Sequence, residues 1–286
     1  MKKIERAAIF VEQHLALFKC PVCGGPFVSV KDNSIVCQKK HSFDLSRKGT
    51  LFMITHKVAS EYDSGPMWKA RKKMLFLGMF DPIIAAITKQ LPYGKKQTIL
   101  DVGAGEGTPA AKIKAARSDV NDTVMGVDIS KTAVSLATDH PNRNFYCVAD
   151  LAALPLAKNS FDVLTDIFSP AAYSEFKRVL KPGGTIYKVI PNSEYLKELR
   201  ALMYSEESNH RTYENSYVLA LFAQNFPDFS TQKIKYIFTF PVEDFKSLIL
   251  MTPLSWGASP ELKNHLLDHP LSQITVDVTL LTAVNS

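Results

Sequence analysis

Between residues 97 and 190 the chain alternates apolar strand patterns with helical ones. Strands fall at 98–102, 123–128, 144–148, 161–167 and 185–190, with helices running to about residue 117, from Ser130, and to near Leu180. Strands separated by helix-length segments cannot pair as hairpins; they form a parallel sheet covered on both faces. Two more strand patterns, 234–240 and 274–284, follow a polar helix beyond Pro191 and would complete a seven-stranded sheet. The expected fold is α/β, a doubly wound Rossmann-like domain, and the first ninety residues need a separate account.

That leading segment holds three of the four cysteines, Cys20, Cys23 and Cys37, with His41 completing the pattern C-x2-C-x13-C-x3-H. Thiolates and a neutral imidazole are ligands that zinc takes tetrahedrally, and two ligand pairs at this spacing read as two knuckles around one structural Zn2+. Short strand patterns at 27–30 and 34–36 join the pairs. So small a module buries little apolar area, so metal binding, worth ~10 to 16 kcal/mol in small zinc domains, would supply its folding energy. Cys147 stands alone in a strand pattern and reads as a small core residue. The resulting division is an N-terminal extension at 1–17, a zinc-binding module at 18–55, a linker helix region at 56–90 and the α/β domain at 91–286. The extension carries Ile4, Ala7, Ala8, Val11 and Leu15 at helical spacing.

Charge divides along the same line. Residues 1–75 hold 14 basic against 6 acidic side chains, while the rest holds 20 against 22. A cationic module beside a near-neutral domain suits a polyphosphate partner. The basic residues nearest the knuckles and on the linker helix, Lys39, Lys40, Arg47, Lys48, Arg71, Lys72 and Lys73, are the candidate contacts to a nucleic acid. No secretory signal pattern and no run of eighteen apolar residues is present, so a cytoplasmic protein without a membrane partner is expected.

The segment 99–107, Ile-Leu-Asp-Val-Gly-Ala-Gly-Glu-Gly, is an apolar strand ending in Asp101 and running into a glycine turn at Gly103, Gly105 and Gly107. At the carboxyl end of a first strand such a turn lets backbone approach a ligand closely. Asp128 ends the second strand, placed for ribose hydroxyls, with Ile129 beside it; Asp150 and Leu151 end the third, placed for an adenine. A dinucleotide fingerprint would need glycine or alanine where Thr108 stands, and Asp101 would repel a pyrophosphate yet suit a sulfonium and an amino group. The cofactor indicated is S-adenosylmethionine.

These residues together resemble the bacterial 23S rRNA (guanine-N1)-methyltransferases, which include the tylosin-resistance enzymes. The likeness runs from Phe18 nearly to the end. It is carried by Cys20-Pro21-x-Cys23, Cys37-x-x-x-His41-x-Phe43-Asp44 and Gly49; by Asp63-Ser64, Met67, Ala70-Arg71 and Gly78; by 101–107; and by Met251-Thr252-Pro253-x-x-Trp256. The resemblance implies methylation of guanine N1 in a domain II hairpin of 23S rRNA, with the zinc module helping to hold the RNA. It also implies donor contacts at Gly105, Glu106, Phe80 and Tyr195; a member of the family has tyrosine and histidine at the last two positions. The extension before Phe18 has no family counterpart, and the lysine-rich character inclines the chain to the tylosin-resistance subgroup.

Above the fourth strand, Phe168 is the candidate to stack an extruded guanine, and Asp166 and Ser169 are the remaining catalytic candidates, with no base assigned. The alternatives are a small-molecule methyltransferase and a zinc-ribbon RNA-binding protein with an inactive donor domain. A homodimer is left open.

Overall fold

A computed structural model describes residues 1–56, 64–141, 144–205, 208 and 211–286; Asp63 of the linker pattern lies outside them. The chain begins with α1 (Lys3–Gln13) and a small antiparallel sheet, β1 (Phe27–Lys31), β2 (Ser34–Cys37) and β3 (Ser42–Asp44). Then come β4 (Thr50–Phe52), α2 (Gly65–Phe76) and α3 (Asp81–Gln90). The alternating region gives β5 (Thr98–Val102), α4 (Thr108–Ala116), β6 (Thr123–Asp128), α5 (Lys131–Ala137), β7 (Phe145–Val148), β8 (Phe161–Ile167), α6 (Tyr173–Val179) and β9 (Leu180–Pro191). The chain closes with α7 (Lys197–Met203), α8 (Ser216–Asn225), β10 (Phe229–Thr239), α9 (Phe245–Met251), α10 (Pro260–Asp268) and β11 (Gln273–Val284). No helix among the described residues is long and apolar enough to cross a membrane.

Local chemistry sets these boundaries. Pro109 sits in the first turn of α4, where its missing N–H costs nothing. The Ser130 side chain accepts from Ala133 N at 3.0 Å and starts α5. Every residue of β6 and β7 is buried, as a strand covered on both faces requires. Cys147 is one of them, a core thiol.

The large sheet has the order β10-β11-β9-β8-β5-β6-β7-β4. From β9 to β4 the pairs are parallel, while β10 and β11 add an antiparallel edge. Eight strands therefore stand where seven were expected. The extra one is β4, which lies inside the segment expected to be zinc module yet pairs in parallel with β7, Leu51 opposite Cys147. Three residues with no alternation cannot announce a strand in sequence; the unpaired edge of β7 selects them.

Each face of the sheet carries its own apolar layer. One is closed by α2, α3, α4 and α9. The other is closed by α6, α8, the zinc module and α1, whose Ala7 and Val11 are buried. The Phe10 ring of α1 stacks on Phe145 of β7 at 4.9 Å and 4°. The extension is thus part of the domain's packing, a role that its amphipathic pattern alone did not identify.

Candidate donor site and zinc centre

Because β8 and β6 flank β5 and continue outward in opposite chain directions, the sheet has its switch point at the carboxyl end of β5, where α/β sheets open a crevice. A narrow cavity lies there, lined by Arg71, Leu75, Asp101, Gly103, Ala104, Glu106, Pro109 and Ile167. Gly103, Gly105 and Gly107 all have positive φ, +63°, +56° and +85°. A Cβ on Gly105 would stand 2.8 Å from the Trp68 ring, and one on Gly103 would stand 2.4 Å from Ser169. The turn therefore needs glycine for both conformation and space. Behind it, the Tyr146 hydroxyl donates to Gly107 O at 3.3 Å, and its ring fills the space above Gly126.

Asp101 is fully buried, and its Oδ1 accepts from Thr165 Oγ1 at 2.7 Å, its register partner on β8. Its Oδ2 has no hydrogen-bond partner among the described residues. Burial drives this carboxyl up to about 7; the Thr165 hydroxyl opposes the rise, and the nearby Asp166, Asp128 and Glu106 carboxylates add to it. A buried acceptor left unpaired in a cavity is a place for a cationic ligand. Across the cavity Arg71 stands 5.7 Å from the Trp68 ring centroid and forms no ion pair among the described residues.

Both Asp128 oxygens first serve the protein: Oδ2 accepts from Gly105 N at 2.8 Å and Oδ1 from Ser130 N at 2.9 Å. Burial raises its pKa, while these N–H groups and Arg71 oppose the rise. Glu106 lines the cavity, but its carboxylate accepts from Thr108 Oγ1 at 2.8 Å and faces His140 at 3.4 Å. Ile129 is half-buried between Asp128 and the Ser130 cap. Asp150 and Leu151 stand outside the cavity lining; Asp150 accepts from Ala152 N at 2.9 Å and pairs with His56 at 3.1 Å.

Past Ile167 the chain turns sharply, because Phe168 adopts φ +60°, a conformation costing a non-glycine residue roughly 1 to 3 kcal/mol. Its ring packs between Phe80 at 5.3 Å and Tyr195 at 5.1 Å. Beneath, Asp166 and Lys188 form a buried ion pair at 2.6 Å. Asp166 Oδ1 accepts from Ser169 N at 3.2 Å, and Lys188 Nζ donates to Ser169 O at 3.2 Å. Both Asp166 oxygens are thereby engaged in holding the turn.

The basic residues of α2 do not share one exposed ridge. Arg71 faces the cavity, Lys72 donates to Leu136 O at 3.0 Å, and Lys73 pairs with Asp244. Neutralising all three would therefore disturb the donor side as well as any RNA face. Lys39, Lys40, Arg47 and Lys48 are exposed on the zinc module. Sequence reasoning missed Trp68, Thr165 and Lys188, and no local pattern marks them, since each acts through a neighbour distant in the chain.

The Cys20, Cys23, Cys37 and His41 donor atoms all lie within 4.8 Å of one another. The Cys23–Cys37 sulfurs are 3.8 Å apart, and His41 Nδ1 is 3.5 Å from Cys20 Sγ and 3.3 Å from Cys37 Sγ. A tetrahedral zinc with bonds of ~2.3 Å to sulfur and ~2.0 Å to nitrogen has edges of about 3.8 and 3.5 Å. The four residues fit the ion, with Nδ1 as the imidazole ligand. Although burial opposes it, backbone N–H groups of His41 and Lys39 bring the Cys37 thiol down to about 7.

A doubly wound sheet with this acid-and-glycine turn, joined to a zinc module, defines an S-adenosylmethionine-dependent methyltransferase. A methyltransferase-domain family matches residues 94–241, and the family described as RlmA, N-terminal, a zinc ribbon, matches residues 18–56. YxjB of Bacillus subtilis (strain 168), which carries the name of a 23S rRNA (guanine-N1)-methyltransferase, is 33% identical over 276 residues, covering 93% of this chain and 96% of its own. The 23S rRNA (guanine(748)-N(1))-methyltransferase of Streptomyces fradiae is 26% identical, with 91% and 94% covered. Among solved structures, the YcgJ protein of Bacillus subtilis superposes with a TM-score of 0.47 at 22% identity, over 70% of this chain and 97% of its own. The chain belongs to the 23S rRNA (guanine-N1)-methyltransferase family.

Proposed function

We propose that this protein methylates N1 of one guanosine in a domain II hairpin loop of 23S rRNA. The observation that carries the reading is the buried Asp101 Oδ2, without a hydrogen-bond partner among the described residues, in a glycine-walled cavity that Arg71 also lines. S-adenosylmethionine supplies an electrophilic methyl on a sulfonium, with an ammonium and a carboxylate at its amino-acid end. Asp101 takes the cationic groups and Arg71 the carboxylate, a charge-assisted bond typically worth about 1.5 to 3 kcal/mol. Each Asp128 oxygen keeps a second lone pair for a ribose hydroxyl. Phe80 and Tyr195 hold Phe168, which offers its ring to the extruded guanine. The Asp166–Lys188 pair fixes the turn, so the chain's contribution to rate is the positioning of N1 against the methyl.

Labelled methyl transfer to unmodified 23S rRNA followed by reverse-transcription mapping tests this, because N1 methylation blocks the pairing edge. A stop at one guanine in the domain II hairpin is expected, and it distinguishes the guanine that the Streptomyces fradiae relative is named for from its neighbour. Donor binding without a stop would refute the reading.

A further inference from the structure

At the amino ends of β6 and β7, a groove of about 530 Å3 runs beside α1. Its walls bring together Lys3, Arg6 and His14 from the extension, Lys48 from the zinc module, and Lys96 and Lys114 from the α/β domain. The acid in its lining, Asp122, is already used: its carboxylate is bonded to Arg117 and to Gln97 N. Asp139 pairs with Lys3 and lies 3.9 Å from Lys48, whereas neither Arg6 nor Lys96 pairs with an acid among the described residues. Burial, and then the charge of Lys96, hold His14 below its usual value; burial and Lys96 also lower Lys114, against the pull of Asp122. The fold thus keeps cations close enough to repel one another, and the Phe10–Phe145 stack and buried Val11 fix α1 in the position that does so. Such an arrangement is relieved by a bound anion.

We infer that this groove is a second RNA site, which holds backbone phosphates of a strand flanking the methylated hairpin. The inference rests on rRNA being the substrate. A single small anion would leave most of the groove unfilled, whereas a phosphodiester strand supplies successive charges along it and continues onto Lys48 and the exposed cations of the zinc module. One end of the groove, at His140, reaches Glu106 of the donor cavity at 3.4 Å, whereas Lys96 stands before the amino end of β5, whose five residues put ~17 Å between it and the cavity at that strand's carboxyl end. The phosphates held at Arg6 and Lys96 therefore belong to a segment flanking the reacting base, and these two cations act on substrate capture and not on the methyl-transfer step.

The test compares the full-length, zinc-loaded protein with its Arg6→Gln/Lys96→Gln variant; neither side chain makes an ion pair among the described residues. Binding is measured against salt for a domain II RNA and for the isolated hairpin, with donor titration as the control. On the long RNA the variant should lose roughly tenfold in affinity and its log–log salt slope should fall by about 2. Its KM should rise by the same factor with kcat unchanged, and hairpin and donor binding should match wild type. Equal slope and affinity on the long RNA would overturn the inference. If wild type binds RNA yet methylates no guanine N1, the proposed activity fails while the slope comparison still decides the groove.

Discussion

Replacing Lys188 with methionine tests how the acceptor turn is held. The side chain is 3% exposed, and its ammonium touches both Asp166, at 2.6 Å, and Ser169 O. Methionine keeps the volume and removes the charge, so Asp166 is left buried without its counter-ion. Breaking a buried pair from one side typically costs about 3 to 5 kcal/mol, which for a chain of this size is a fall in Tm of about 10 °C. The sign with pH follows from Asp166: burial already raises its pKa, opposed by Lys188, and loss of Lys188 raises it further. A carboxyl raised in the folded state adds stability below its unfolded pKa, and that stability is lost as pH rises through the folded value. The deficit of Lys188→Met should therefore be large at pH 8 and shrink towards pH 5. Asp166→Asn/Lys188→Met should recover most of it, because the amide needs no counter-ion and still accepts from Ser169 N. Thermal unfolding by circular dichroism at both pH values gives the cycle. A deficit under about 1 kcal/mol, or one equal at pH 5 and pH 8, would refute the argument. The single variant should also lose kcat more than donor affinity, since the turn it loosens carries Phe168.

Arg71→Gln should weaken S-adenosylmethionine binding by roughly tenfold or more in a calorimetric titration while leaving the salt slope of RNA binding unchanged; a reduced slope would return Arg71 to the RNA face. With Asp101 titrating at about 7, donor affinity should rise about tenfold between pH 6 and pH 8 as the carboxylate forms, and Asp101→Asn should bind weakly with no such dependence. A strong chelator should remove the metal from the Cys20, Cys23, Cys37 and His41 cluster and abolish RNA methylation, while donor binding measured by fluorescence persists. Loss of donor binding at the same chelator concentration would show that the two sites unfold together.

What could be read in the sequence was whatever is written in neighbouring residues. The ligand spacing around Cys20 and Cys37, the apolar run into Gly103 and the helix start at Ser130 each occupy a short stretch, and each stands in the structure as local chemistry demands. Contacts assembled from distant segments could not be read. Thr165 meets Asp101 through strand register, Lys188 reaches Asp166 from the next strand, and Trp68 closes on Gly105 from α2, more than thirty residues earlier in the chain. Arg71 shows the limit best: its neighbours Lys69, Lys72 and Lys73 make it look like part of a cationic face, and only the packing of Met67, Ala70 and Met74 turns it inward. The Met251 to Trp256 pattern likewise gains its meaning from packing, since Ser255 ties itself to Ile249 O at 2.6 Å while Met67 and Trp256 share one pocket wall.

The pairing of β4 with β7 gives the zinc ribbon a fixed address. A ribbon on a loose tether would search for RNA independently, whereas one stitched into the sheet by a parallel ladder sits at a set distance from the donor cavity, as the fence of a saw sits from its blade. Under the proposed function, substrates would then be gauged by the spacing between an RNA segment held at the ribbon and the base to be methylated. The same ladder makes the ribbon a guard, because a chain cut just after residue 55 would leave β7 as a bare strand edge open to pairing with other molecules.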